Sequence, residues 1–169
     1  YVGYRMGRID RELQDLIARG NVGLQDMMDL QANNQLRDAE VLAPFIVDAF
    51  ANAAAPDAWP GLAAFIQDPR LFELTLRLGA WDASTPSGVS EGFDAGDDPF
   101  NLPEPSTEEI DHSVAATIYS TWRAQMLSNT IDGVLSNIGL GDFLPANREA
   151  WDALAFQLRN FDQTQGMGA

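Results

Sequence analysis

Apolar residues in this chain recur at every third or fourth position, and no convincing stretch alternates with a period of two. That pattern constrains the fold more than any other feature, because a helix face repeats near 3.6 residues and a strand face at 2. From Gly3 to Arg19 the apolar positions are Met6, Ile9, Leu13, Leu16 and Ile17, and Gly20 follows the basic Arg19 as a stop. A second helix is expected from about Gly23, with Asp26 in its first turn against the positive end of the helix dipole. Val41, Leu42, Phe45, Ile46, Ala49 and Phe50 form a wide apolar stripe. Pro44 lies inside it and lacks the N–H that a helix interior needs, so a kink or break is expected there.

The pattern continues downstream. Trp59 to Ile66 reads as a short helix ended by Asp68-Pro69, and Leu71, Leu74 and Leu78 mark the next helix face. Ser106 and Glu109 have capping-box spacing, and Ile110, Val114, Ile118, Trp122 and Met126 follow at every fourth residue. Thr130 to Leu140 is a shorter candidate. Asn147 is a candidate N-cap for a last helix with Trp151, Leu154, Ala155, Leu158 and Phe161. The expectation is an all-α fold of six or seven helices in an irregular orthogonal bundle, residues 1–169 forming a single helical domain or a fragment of something larger. Between residues 83 and 105 the periodicity disappears into an acidic stretch rich in Gly, Pro and Ser, long for a loop inside a domain.

Charge narrows the partners. The net charge is −15, with 25 Asp and Glu against ten basic residues, all of them Arg. Such a chain is poorly suited to phosphate backbones or anionic membranes, so neither nucleic acid nor membrane is expected as a partner. With no Cys and a single His, it offers no disulfide framework, thiolate metal site or two-His metal site. No apolar run at the start resembles a leader, and none approaches the roughly 20 residues of a membrane span. The opening at Tyr1 and the small-residue close at Gly166-Met167-Gly168-Ala169 suggest a section cut from a longer protein.

Taken singly, the chemical candidates are modest. His112 sits beside Asp111 and near Glu108 and Glu109, which reads better as a surface histidine among acids than as the partner of a catalytic Ser. Asp94, Asp97 and Asp98 could offer oxygens to calcium, but the spacing is not that of an EF-hand, and a solvated acidic loop is the stronger reading. Arg5 and Arg8 lie three apart on the first helix. One reading is a solvated pair facing Asp10, Glu12 and Asp15; the other is a cationic element of a site.

Four stretches, in order, resemble the penicillin acylase (penicillin amidase) family of N-terminal-nucleophile hydrolases. They are Gly3-Tyr4-Arg5-Met6-Gly7-Arg8-Ile9, Leu24 to Gln31 with Ala39 and Leu42-Ala43-Pro44 behind it, Leu78-Gly79-Ala80-Trp81-Asp82, and Ser113 to Trp122. The resemblance implies a helical section of the large (beta) subunit of an enzyme that cleaves amide bonds of acylated amines, such as beta-lactam antibiotics or acyl-homoserine lactones. It implies that the nucleophilic Ser and the Asn of the oxyanion hole precede the matched section, so the section alone has no hydrolase activity. It gives Arg8 a supporting role near the catalytic centre, a role suited to the planar donor fork of a guanidinium. It places the family's calcium ligands elsewhere, so no cofactor is expected here. The remainder of the parent acylase and a small acylated amine are the expected partners, and a periplasmic or extracellular location is implied. An autonomous acidic helical interaction module without catalysis is the competing reading.

Overall fold

The protein is described here by a computed structural model covering residues 2–162 and 167–168. The expectations that concern Tyr1, Gly166 and Ala169 lie outside those residues. The fold is all-α, and the described chain falls into two compact units, Gly3–Ile118 and, with Val2, the part from Tyr119 onward.

In the first unit, α1 (Val2–Arg19) ends on Gly20, whose φ of +73° is the left-handed cap the sequence suggested. The turn continues through Asn21, also left-handed at φ 53°. Next comes α2 (Leu24–Ala32), where the Asp26 carboxylate accepts from the Gly23 N–H at 2.7 Å. The Asn33 side chain accepts from the Gln35 N–H at 3.2 Å, and this Asx turn leads into α3 (Arg37–Ala53).

Of the two outcomes expected at Pro44, a kink or a break, the break does not occur. Pro44 offers no N–H to the carbonyl of Glu40, yet the helix runs on for nine further residues to Ala53. Tertiary burial outweighs that loss: Ala39, Leu42 and Ala43 are buried, and complete burial of a side chain such as Leu42 is worth roughly 1.5–3 kcal/mol.

A 3₁₀ turn (Pro60–Leu62) runs into the single turn of α4 (Ala63–Ile66). Asp68 then caps α5 (Pro69–Ala80), accepting from the Arg70 N–H at 3.0 Å, with Pro69 in the first position where its missing N–H costs nothing. Helices α3 and α5 pack together; Phe50 and Phe72 meet at 6.3 Å between ring centroids, and Leu78 is buried. Beyond a long connection, α6 (Thr107–Leu127) starts with the expected capping box: Glu109 N–H donates to Ser106 Oγ at 3.2 Å and Ser106 N–H to Glu109 Oε2 at 2.7 Å.

The buried face of α6 departs from the every-fourth stripe of apolar residues. Ile110 and Val114 are exposed, whereas Ala115, Ala116 and Tyr119 are buried. A strict spacing of four drifts by about 40° per step around a helix, so the every-fourth stripe leaves the face it starts on.

In the second unit, α6 passes through a π turn (Ser128–Asp132) into α7 (Gly133–Asn137), which Gly139 ends at φ +81°. The last helix, α8 (Asn147–Arg159), is capped by Ala146, not by Asn147; the Glu149 carboxylate accepts from the Ala146 N–H at 2.8 Å. Its Ala150, Trp151, Leu154 and Ala155 are buried, and the Arg123 guanidinium lies 4.8 Å from the centre of the Trp151 ring. Phe161 falls beyond α8, in a two-residue antiparallel pairing of Phe161–Asp162 with Met167–Gly168.

Candidate functional site

Arg8 is held inside a charge cluster between α1 and α3. Its side chain is only 13% exposed. Nη1 donates to Glu40 Oε1 at 2.8 Å, while Nη2 donates to Gln35 Oε1 and pairs with Glu12 Oε1, one turn on, at 3.1 Å. Nε is buried, with no hydrogen-bond partner among the described residues.

Glu40 is the hub of this cluster. Arg11 grips it with both terminal nitrogens, Nη1 to Oε2 at 2.9 Å and Nη2 to Oε1 at 2.8 Å, and Arg37 Nη1 donates to Oε2 at 2.7 Å. Three guanidiniums thus converge on one carboxylate. Burial pushes the Glu40 carboxyl up, but the hydrogen bonds and positive charges of Arg11 and Arg37 outweigh it and hold the group below its ordinary range. With Glu12 the five side chains sum to +1, a local inversion in a chain of −15.

Local sequence explains half of this arrangement. Arg8 and Arg11 share a face of α1 by their spacing of three, and Arg37 and Glu40 do the same on the first turn of α3. The long-range half, residues 29 and 32 apart, has no sequence signal. Of the pairings considered for Arg8, only Glu12 is found here; Asp10 accepts instead from Gln14 Nε2 at 2.9 Å, and Arg5 is exposed.

His112 has a Ser and an acid beside it, though not in relay geometry. Ser84 Oγ lies 3.1 Å and Asp82 Oδ1 3.2 Å from the same ring nitrogen, Nδ1. A nucleophile–base–acid relay needs the acid on one ring nitrogen and the hydroxyl on the other. Here the imidazole instead clamps the segment after α5 to α6. Burial pushes the Asp82 carboxyl up, but hydrogen bonds from the Ser84 hydroxyl and N–H, with the charge of His112, hold it below its usual range.

The same segment is tied down on its other side. Ala83, left-handed at φ 67° and buried, accepts from the Leu36 N–H at 2.8 Å, and Thr85 Oγ1 donates to the Asn34 carbonyl at 2.8 Å. Trp81 Nε1 donates to the Ser84 carbonyl at 2.7 Å.

Farther along, the Asp94 carboxylate accepts from the N–H and hydroxyl of Ser87 at 2.9–3.0 Å. Asp97 accepts from the Asp94 N–H and Asp98 from the Phe100 N–H. These acids shape turns, and among the described residues no group of three His, Cys, Asp or Glu is placed to hold a metal. Nor is any helix among them long and apolar enough to cross a membrane.

No curated protein and no solved structure matches the chain. The family model for penicillin amidase matches residues 1–166, a span that contains Arg8, its cluster and all four sequence stretches described above. The chain belongs to the penicillin amidase family.

Proposed function

We propose that this chain is a helical part of an amidohydrolase that cleaves the amide bond of acylated amines, with beta-lactam antibiotics or acyl-homoserine lactones as the substrate class. The observation that carries the reading is the family match over residues 1–166. In this reading the chemistry is that of an N-terminal nucleophile: a Ser exposed by self-cleavage attacks the carbonyl, and its own α-amine takes the proton. No residue of this chain matches that Ser, so residues 1–169 alone do not hydrolyse amides.

Arg8 is the residue of this chain with a supporting role at the catalytic centre. Its near burial and its fixed guanidinium support that role, because a donor already locked in place loses little freedom when it binds. The chain itself carries no cofactor, and any calcium of the parent enzyme is held elsewhere. Its partners are the rest of the parent acylase and the small substrate, in the periplasm or outside the cell. Exposed apolar side chains on α1 and α2, among them Met6, Ile17, Leu24 and Met28, support a covering partner of that kind.

The test is to incubate the full-length protein and residues 1–169 separately with a panel of acylated amines and measure free amine. The reading expects release by the first and none by the second. Release by the isolated chain would refute the claim that the nucleophile lies outside it.

A further inference from the structure

The geometry points to Glu40 as the positioning residue for Arg8, an inference that rests on the supporting role proposed above. A guanidinium carries five N–H donors in a rigid fork. For Arg8, one Nη1 hydrogen goes to Glu40, Nη2 is engaged by Gln35 and Glu12, and Nε is enclosed. The second Nη1 hydrogen is the donor left unused among the described residues. Glu40 therefore grips the nitrogen that carries this remaining donor, and its grip sets the direction in which the donor points.

Glu40 is itself fixed from two sides. Arg11 holds both of its oxygens from α1, and Arg37 holds Oε2 from its own helix. An acceptor so constrained has few rotamers open to it, and its depressed carboxyl keeps it charged through the neutral range. Glu12, one turn from Arg8, and Gln35 hold the Nη2 end of the same rigid plane, and Glu40 holds the Nη1 end, where the remaining donor lies. The positioning of the Nη1 end thus falls to a residue on α3, acting through Arg8.

The experiment uses the full-length, self-processed enzyme and an acylated amine substrate. Glu40→Gln keeps the shape and one acceptor oxygen while removing the charge. It is expected to lower kcat between about 10-fold and about 100-fold, the range for a slightly misplaced group, with KM within about twofold. Glu40→Asp restores part of the loss. Arg8→Ala/Glu40→Gln is no slower than Arg8→Ala, because the positioning residue has nothing left to position.

Additive losses in the double variant would overturn the proposal, as would wild-type kcat in Glu40→Gln beside an impaired Arg8→Ala. Wild-type kcat in Arg8→Ala would instead remove the role of Arg8 itself. If Glu40→Gln does not fold, the same cycle run with Glu40→Asp decides between non-additive and additive loss.

Discussion

Gly88 lies so close against Ser113 that a Cβ on the glycine would sit 2.5 Å from the serine Cβ. The segment after α5 therefore rests directly on α6, and the small Ser113 makes room for it. Gly88 also has φ +64°, a conformation that strains any residue with a side chain. Gly88→Ala should destabilise the protein by about 2–4 kcal/mol, combining left-handed strain with overpacking. Thermal unfolding reads this as a fall in Tm of roughly 4–16 °C at this chain size. An unchanged Tm would mean that the contact is not tight in solution.

The Glu40 cluster predicts a pH dependence of definite sign. A carboxyl held below its ordinary value when folded contributes stability above its unfolded value, and that contribution fades as pH falls through the folded value. Stability should therefore be level from neutrality down to about pH 5 and drop below that. Glu40→Gln should lose stability near pH 7, by about 1–3 kcal/mol, and converge on the native protein at acid pH. Urea midpoints of the two proteins, measured from pH 7 to pH 3, check this; a constant difference would contradict it.

His112 predicts a structural effect without a catalytic one. Because Ser84 and Asp82 share its Nδ1, Ser84→Ala should leave amide hydrolysis by the full-length enzyme within about twofold. His112→Ala should instead loosen the segment around residues 82–87. Amide hydrogen exchange would show faster exchange at Ser84 and Ser87, whose N–H groups donate to Asp82 and Asp94. A large loss of turnover in Ser84→Ala would revive the serine as a nucleophile.

In the second unit, Trp151 is 3% exposed with Arg123 over its ring, so Trp151→Ala should cost about 3–5 kcal/mol. Arg123→Met keeps much of the apolar stem and removes the cation, so its cost should be nearer 1 kcal/mol. Urea unfolding of both variants measures the ratio.

The sequence revealed elements better than faces. Gly20, Asp26 and the Ser106–Glu109 box act locally, within one turn, so their residues alone announce the helix ends. Pro44 does not end α3, because the cost of its missing N–H is local while its compensation is the burial of Ala39, Leu42 and Ala43. The α6 stripe announced the helix but not its buried face: Ile110 and Val114 are apolar yet exposed, and small Ala115 and Ala116 are buried. At the site, Arg8 could be singled out by its motif. Glu40 could not, since a glutamate 32 residues away becomes a partner only once α1 and α3 are laid side by side. The loop stood out as aperiodic, but its anchors, Asn34, Leu36 and His112, are distant in sequence.

The central claim is that this chain serves amide hydrolysis through Arg8. Its most direct test measures the free amine released from an acylated amine by the full-length protein and its Arg8→Ala variant, side by side. Release by the native protein is expected, with a rate lower by between about 10-fold and about 100-fold in the variant. Equal rates in the two, or no release from any acylated amine by the self-processed native protein, would contradict it.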